Sequence, residues 1–237
     1  MNYEKIKKDM ITFINQQIQN FNGAVVGLSG GLDSAIVLTL LANSNKQAHA
    51  LIMPTKFSNP KNYDDALNLA KMLDVKYSVI DIQDILDSFI KASKTSDKIQ
   101  IGNFAARIRM TLLYDYSAKH NLLVAGTSNK SELMLGYGTI YGDLACAFNV
   151  LAQFYKSELF AFADFLGIPK QIINKKPSAD LFEGQDDESE IGFTYEQIDN
   201  FLQNFQNNTK IEPVYSSLLN RIEKNKFKQE GIKIFKR

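Results

Sequence analysis

The chain has 237 residues, 45% of them hydrophobic, enough for a substantial core and unlike the composition of disordered or fibrous chains. Lysine plus arginine number 27 against 26 for aspartate plus glutamate, so no global basic field exists to attract nucleic acid. Cys146 is the only cysteine, which excludes an intramolecular disulfide and a cysteine-based zinc cluster.

Ile6, Met10, Phe13, Ile14 and Ile18 recur at helical spacing and predict an amphipathic helix over residues 3–20. The apolar run Ala24 to Leu28 predicts a buried strand, followed by a buried helix from Ser34 to Ala42. Strands are expected again at Ala48 to Met53, Lys76 to Ile80 and Leu122 to Ala125. Between them, helices are expected at Asn62 to Leu73, Asp81 to Ala92 and Asn103 to His120, with a polar loop at Lys94 to Asp97. Strands alternating with helices, the strands nearly continuous in apolar residues, imply an open parallel α/β sheet covered on both faces. Beyond Ser128 helices and loops are expected, the clearest helices being Lys156 to Leu166 and Thr194 to Gln206. The whole reads as one domain, with a sheet core over about 21–127 and a substrate and lid part over about 128–237. Asp180 to Glu190 holds six carboxylates and no base, and the charges from Arg221 to Arg237 are mainly lysine and arginine. Both runs read as solvated surface, the acidic one as a mobile loop able to order over a ligand. The first residues lack the apolar core of a signal peptide, and no apolar run reaches the roughly 18 residues that span a bilayer. A soluble, cytoplasmic protein with no membrane partner is expected.

The chemistry concentrates where the first strand meets its helix, at Ser29-Gly30-Gly31-Leu32-Asp33-Ser34. Ligands of open parallel sheets sit at the carboxyl ends of the strands, and a helix N-terminus there favours an anion. Gly30 and Gly31 let backbone approach a ligand closely, and Ser29 and Ser34 add hydroxyls. No Lys-Ser or Lys-Thr follows the glycines, so the loop is not a Walker A loop, and adjacent glycines do not fit G-x-G-x-x-G. A carboxylate beside phosphates calls for a divalent cation between them, which makes Asp33 a candidate Mg²⁺ ligand, with helix capping as its structural alternative.

The hexapeptide resembles the S-G-G-x-D-S pyrophosphate loop of the ATP pyrophosphatases, enzymes that cleave ATP between the α- and β-phosphates and adenylate a substrate. Three further stretches narrow the likeness: Gly126-Thr127-Ser128-Asn129-Lys130-Ser131-Glu132, Gly136-Tyr137-Gly138-Thr139-Ile140-Tyr141-Gly142-Asp143, and Lys175-Lys176-Pro177-Ser178-Ala179-Asp180-Leu181 leading to Glu188 through Asp199. In this order they resemble the ammonia-dependent NAD synthetase family, over about Ala24 to Asn200. The resemblance implies that Gly27, Leu28, Ser29, Gly30, Gly31, Leu32, Asp33 and Ser34 wrap the triphosphate of ATP. Thr127, Lys156 and Ser178 would also contact ATP, Met53-Pro54-Thr55 would border the adenine, and Asp33 and Glu132 would hold Mg²⁺. Asp33 and Lys156 would serve catalysis, Arg107 and Lys226 would bind deamido-NAD, and the enzyme would be a homodimer built on the Asn103 to His120 helix and its neighbours.

Each side chain also has a plainer reading. Lys156 could lie in a solvated first helical turn, Ser178 could be a turn residue beside Pro177, and Arg107 could sit at the surface or in a structural ion pair. Ser128 is a plausible helix N-cap, with Ser131 and Glu132 in the first turn. The chain departs from the family pattern at Ser128-Asn129, where many relatives have Asp-His, at Ile140, where a lysine is usual, and at Ala147, where an aspartate is usual. His49 and His120 are the only histidines and lie away from these motifs, so no Ser–His or Cys–His catalytic arrangement is implied. A glutaminase domain with its own catalytic cysteine is absent from this sequence, which leaves ammonia as the expected direct nitrogen donor, either free or delivered by a separate subunit; Cys146, between Ala145 and Ala147, reads as small and packed. A GMP synthetase ATPase subunit and a non-catalytic ATP-binding module remain the alternatives.

Overall fold

Apolar strands with no polar face need cover on both sides, and the chain supplies it. In the computed structural model, which describes residues 1–178, 186–209, 211–231 and 233–235, α1 (Tyr3–Gln17) leads into β1 (Gly23–Gly27), α2 (Leu32–Ala42), β2 (Gln47–Ile52), α3 (Pro60–Met72) and β3 (Lys76–Val79). Then come α4 (Gln83–Ser93), α5 (Lys98–His120), β4 (Leu122–Gly126), α6 (Lys130–Leu135) and β5 (Phe148–Asn149). The described remainder holds α7 (Lys156–Phe165), α8 (Lys170–Ile173), α9 (Asp187–Ile191), α10 (Tyr195–Gln206) and α11 (Ser216–Asn225). The strand order is β3-β2-β1-β4-β5 and every pairing is parallel. Chain order therefore reverses beside β1, between β2 on one side and β4 on the other. That reversal opens a crevice at the carboxyl ends of β1 and β4, where Gly27 and Gly126 lie.

Side-chain alternation splits the interior in two. Ala24, Val26, Ala50 and Ile52 point into a core completed by α1, α2, α3 and α7, while Val25, Leu51 and Val124 point into a second core under α4 and α5. Helix α2 is buried on nearly all sides, which is why its sequence shows no polar face. A third core joins α6, α9, α10 and α11 through Leu135, Ile191, Ile198, Phe201, Leu202 and Leu218.

Several boundaries differ from the sequence expectation, each for a local reason. Helix α5 begins at Lys98 rather than Asn103, because the Asp97 side chain accepts the N–H of Gln100 and caps it there. Asn129, not Ser128, caps α6: its side chain accepts from Glu132 N at 3.0 Å and Glu132 returns a bond to Asn129 N at 3.1 Å, a full capping box. The two-residue β5 was not expected, being too short to carry a period of its own. Nor was α11, whose apolar positions are few. The expected acidic loop is helical over Asp187–Ile191, and Asp187, at 4% exposure, is not solvated surface, whereas Ser189 and Glu190 are exposed. Its remainder up to Gln185 lies outside the described residues, as do Ala179 and Asp180.

Phe162, 1% exposed, stacks with Phe154 and Phe165 at centroid separations of 6.4 and 6.2 Å, and joins α7 to the first core. Phe162→Ala is expected to cost about 3–5 kcal/mol, read as a lowered midpoint in urea unfolding with an unchanged slope.

Candidate active site

The loop after β1 is wired to itself before it meets any ligand. Ser29 Oγ accepts the N–H of Gly31 at 3.2 Å, Ser34 Oγ donates to Gly31 O at 3.1 Å, and Ser29 N donates to Ser34 Oγ at 3.3 Å. Gly30 has φ +78°, and a Cβ on it would stand 2.0 Å from the carbonyl oxygen of Asn62 on α3. Glycine is thus required twice over, for conformation and for space. Gly31, the cap of α2, brings no side-chain acceptor, so the first-turn N–H groups are left to a ligand or water. Lys175, which opens the Lys175–Leu181 stretch but to which the sequence assigns no role, fastens this loop to α3. Its ammonium donates to Gly30 O at 2.9 Å and to Asn62 Oδ1 at 2.7 Å, and pairs with Asp65 at 2.6 Å.

Asp33, in the first turn of α2, faces across the crevice to Lys156 in the first turn of α7. The two form an ion pair, and Glu132 Oε1 lies 3.8 Å from the same ammonium. Lys156 is 4% exposed, which excludes a solvated position, and Asp33 makes this pair rather than capping its helix. Burial lowers the lysine's proton affinity, but the charges of Asp33 and Glu132 more than offset it and leave it raised. Burial, then the charge of Asp33, push the Glu132 carboxyl up to about 8 against the pull of Lys156. Two carboxylates thus share one ammonium. Asp33 Oδ1 is buried with no protein hydrogen-bond partner.

A second polar group flanks the first. Tyr137 OH donates to Asp187 Oδ1 at 3.0 Å and to Glu190 Oε2 at 2.9 Å, and Tyr195 OH donates to Asp187 Oδ2 at 3.3 Å. The Lys156 ammonium lies 5.5 Å from the Tyr195 ring centre. Burial and the neighbouring carboxylates hold both phenols above the usual tyrosine range, so both remain donors at neutral pH.

These groups open on one cavity of about 830 Å³. Of the sequence-predicted residues, Gly27, Leu28, Ser29, Gly31, Leu32, Asp33, Ser34, Thr127, Glu132, Lys156 and Ser178 line it, with Met53 and Pro54 of the expected adenine border. Gly30 turns instead to α3, and Thr55 to a local bond in which its N–H donates to Ser58 Oγ at 3.0 Å. Arg107 and Lys226 do not line it. Arg107 donates from Nε to Ile140 O at 3.3 Å and braces the glycine loop, whereas Arg109 lines the cavity and donates from Nε to Met53 O at 3.0 Å. At the C-terminal end Arg221, Lys224 and Lys228 line the wall; Arg221 and Lys228 are half-buried there, and Lys224 is exposed at its rim. Lys228 is anchored to Gly136 O and Gly138 O, each at 2.9 Å. Nothing in a run of alternating lysines tells which one turns inward. The departures Ile140 and Ala147 lie in or beside the glycine loop and do not line the cavity.

A sequence profile of the family described as NAD synthase matches residues 6–232. The chain belongs to the NAD synthase family. The chain is 51% identical to an NH3-dependent NAD synthetase of Campylobacter jejuni, with 96% of each chain covered. Its fold superposes with TM-score 0.86 on the NH3-dependent NAD synthetase of Campylobacter jejuni in complex with the nitrate ion, at 44% identity and complete coverage of both chains. An NMN synthetase from Francisella tularensis superposes with TM-score 0.90 at 31% identity, covering 99% of this chain and 98% of that one. NAD synthases are ligases that form a carbon–nitrogen bond with ATP as co-substrate, and this chain carries that activity.

The residues present fit a magnesium ion. Asp33 Oδ1 is an orphaned buried acceptor, and Glu132 keeps Oε1 for the cavity while Oε2 serves the capping box. Among the described residues no group of three or more His, Cys, Asp or Glu side chains could hold a metal. Two carboxylates suit a cation that takes its other ligands from water and phosphate, as Mg²⁺ does.

The raised Glu132 carboxyl carries a pH prediction. A carboxyl whose folded value lies above its unfolded one stabilises the fold below the unfolded value and loses that stabilisation as pH climbs through the folded one. Metal-free protein is therefore expected to lose thermal stability as pH rises from about 4.5 to about 8. Glu132→Gln should flatten that part of the profile, read by differential scanning calorimetry with a chelator present.

Proposed function

We propose that this chain makes NAD from deamido-NAD, ATP and ammonia. The observation that carries the reading is the meeting of Asp33, Glu132 and Lys156 over a loop whose backbone N–H groups face a cavity at the sheet's switch point. Gly27 to Ser29, Gly31 to Ser34, Thr127, Lys156 and Ser178 hold ATP, with Gly30 shaping the loop against α3. Asp33 and Glu132 hold Mg²⁺, which when bound supplies neutralising charge to the phosphates.

In the first step the nicotinate carboxylate of deamido-NAD attacks the α-phosphorus, the bond to the bridging oxygen breaks, and pyrophosphate leaves. Lys156 and the loop amides stabilise the charge that builds on the leaving pyrophosphate. In the second step ammonia attacks the acyl carbon, the bond from that carbon to the bridging oxygen breaks, AMP departs with that oxygen, and the surplus proton on nitrogen passes to solvent. Lys175 keeps the loop seated against α3 while the pyrophosphate is held. No covalent bond to the protein is needed at either stage.

Purified protein given ATP, Mg²⁺, ammonium and deamido-NAD should yield AMP, pyrophosphate and NAD in equal amounts. Parallel reactions offer deamido-NMN or XMP in place of deamido-NAD. Product with deamido-NMN alone would assign the mononucleotide as acceptor, as the name of the Francisella neighbour suggests for that protein. Product with XMP alone would make it a GMP synthetase, and no turnover with any acceptor would leave an ATP-binding module. Asp33→Asn is expected to lower pyrophosphate release by at least about 100-fold.

The active enzyme is proposed to be a cytoplasmic homodimer. No helix among the described residues is long and apolar enough to cross a membrane. Helices α4 and α5 leave Ile85, Phe89, Ile99 and Tyr114 exposed, and Ile99 also lines the cavity, which brings the mouth of the site to that surface. An acceptor spanning the subunit boundary would extend past the cavity wall, where Arg107 and Lys226 are its candidate contacts. Sedimentation should give a dimer for the native protein and a monomer for Ile99→Asp; a native monomer at all concentrations would overturn the assignment.

A further inference from the structure

Asp199 on α10 is 1% exposed and takes no part in the chemistry above. Its carboxylate is nevertheless bonded on both oxygens. Oδ2 accepts the N–H of Ser157 at 2.8 Å, and Oδ1 accepts the hydroxyl of Ser131. Ser131 Oγ in turn accepts the N–H of Lys156 at 2.9 Å. The first two amides of α7 therefore find their acceptors on α6 and α10. The phenol of the preceding Tyr155 reaches away, to Gln206 Oε1 at 2.9 Å.

The placing of these bonds matters more than their number. Ser131 precedes Glu132, and Lys156 opens α7, so one buried carboxylate is linked to the backbone beneath both side chains that flank Asp33. The ten-residue α7 presents the positive end of its dipole to Asp199, which favours an anion there over a neutral amide. Lys156 reaches Asp33 through a buried stem, so a shift of the first turn of α7 carries its ammonium off line. The Ser131 to Asp199 bond likewise limits how far α6 can move, and Glu132 with it.

We propose that Asp199 is a positioning residue for the reaction. Through Ser131 and the amides of Lys156 and Ser157 it sets where Lys156 and Glu132 stand relative to the pyrophosphate loop. This rests on the phosphate and metal roles given to those two side chains.

The test is a cycle of four proteins: native, Asp199→Asn, Lys156→Ala and the double variant, assayed for pyrophosphate release with deamido-NAD and for the Mg²⁺ concentration giving half-maximal rate. Asp199→Asn is expected to lower kcat by about 10–100-fold and to raise the Mg²⁺ requirement, with KM for deamido-NAD within about twofold of native. In the Lys156→Ala background the same change should lower the residual rate by a clearly smaller factor than in the native protein, because the part transmitted through that lysine is gone and only the part through Ser131 and Glu132 remains. Native kcat and Mg²⁺ requirement in Asp199→Asn would overturn the proposal, as would a full, multiplying penalty in the double variant. Loss of activity in Lys156→Ala together with a silent Asp199→Asn would remove the positioning role and leave the reading of the site standing. Full activity in Lys156→Ala would remove both. Should Asp199→Asn fail to fold, Ser131→Ala deletes only the bridging hydroxyl and enters the same cycle with the same expected outcomes.

Discussion

An ion pair buried between two halves of a chain is expensive to form and more expensive to leave incomplete, and the pair between Asp33 and Lys156 organises this protein on those terms. Asp33 belongs to the first turn after the central strand, Lys156 to the first turn of the helix that opens the second half. Glu132, also drawn to that ammonium, adds a second anion that one cation cannot fully satisfy. The shortfall leaves a buried carboxylate oxygen without a partner and a neighbouring carboxyl with raised proton affinity. A divalent cation bound with nucleotide phosphate would supply the missing positive charge. The resting geometry is thus incomplete in the way that suits it to a metal–nucleotide substrate.

Around that pair the structure spends its hydrogen bonds on holding backbone still. Ser29 and Ser34 close the loop on itself, Lys175 pins it to α3, and the capping box of Asn129 and Glu132 fixes the start of α6. Each of these side chains commits at least one polar atom to a neighbouring main chain, while Glu132 keeps Oε1 for the cavity. Preorganisation of this kind leaves less rearrangement to be done when the phosphates arrive.

How much of this the sequence disclosed depends on how local each signal was. The pyrophosphate loop and the helix beginning near Thr194 are written in adjacent residues and could be read directly, as could the alternation that makes a parallel sheet. The partners of Asp33 could be proposed only through a family likeness, because Lys156 stands 123 residues away. Orientation was the harder matter. Arg107 and Arg109 are two residues apart on one helix, about 200° around its axis, and only the fold decides which of them meets the cavity. Lys226 and Lys228 pose the same question in a short 3-10 turn, where the inward position fell to Lys228. Lys175, though part of a family stretch, takes no role from the sequence, and Asp187 escaped notice, because a lysine in a basic pair and an aspartate in an acidic run look like solvated charge. Nothing in one dimension reveals that each is surrounded by acceptors or donors from distant segments.

The same separation of Asp33 from Lys156 sets a schedule for the nascent chain. At a synthesis rate of about 5–20 residues per second, roughly 6–25 s pass between the two residues leaving the ribosome's catalytic centre. During that interval β1 can pair with β2, and the glycine loop can take shape, but its carboxylate has no counter-charge. An anion-binding loop that carries an uncompensated anion has little hold on ATP. If the loop binds nucleotide as proposed, a site complete with both Asp33 and Lys156 would arise late in synthesis, once α7 has docked.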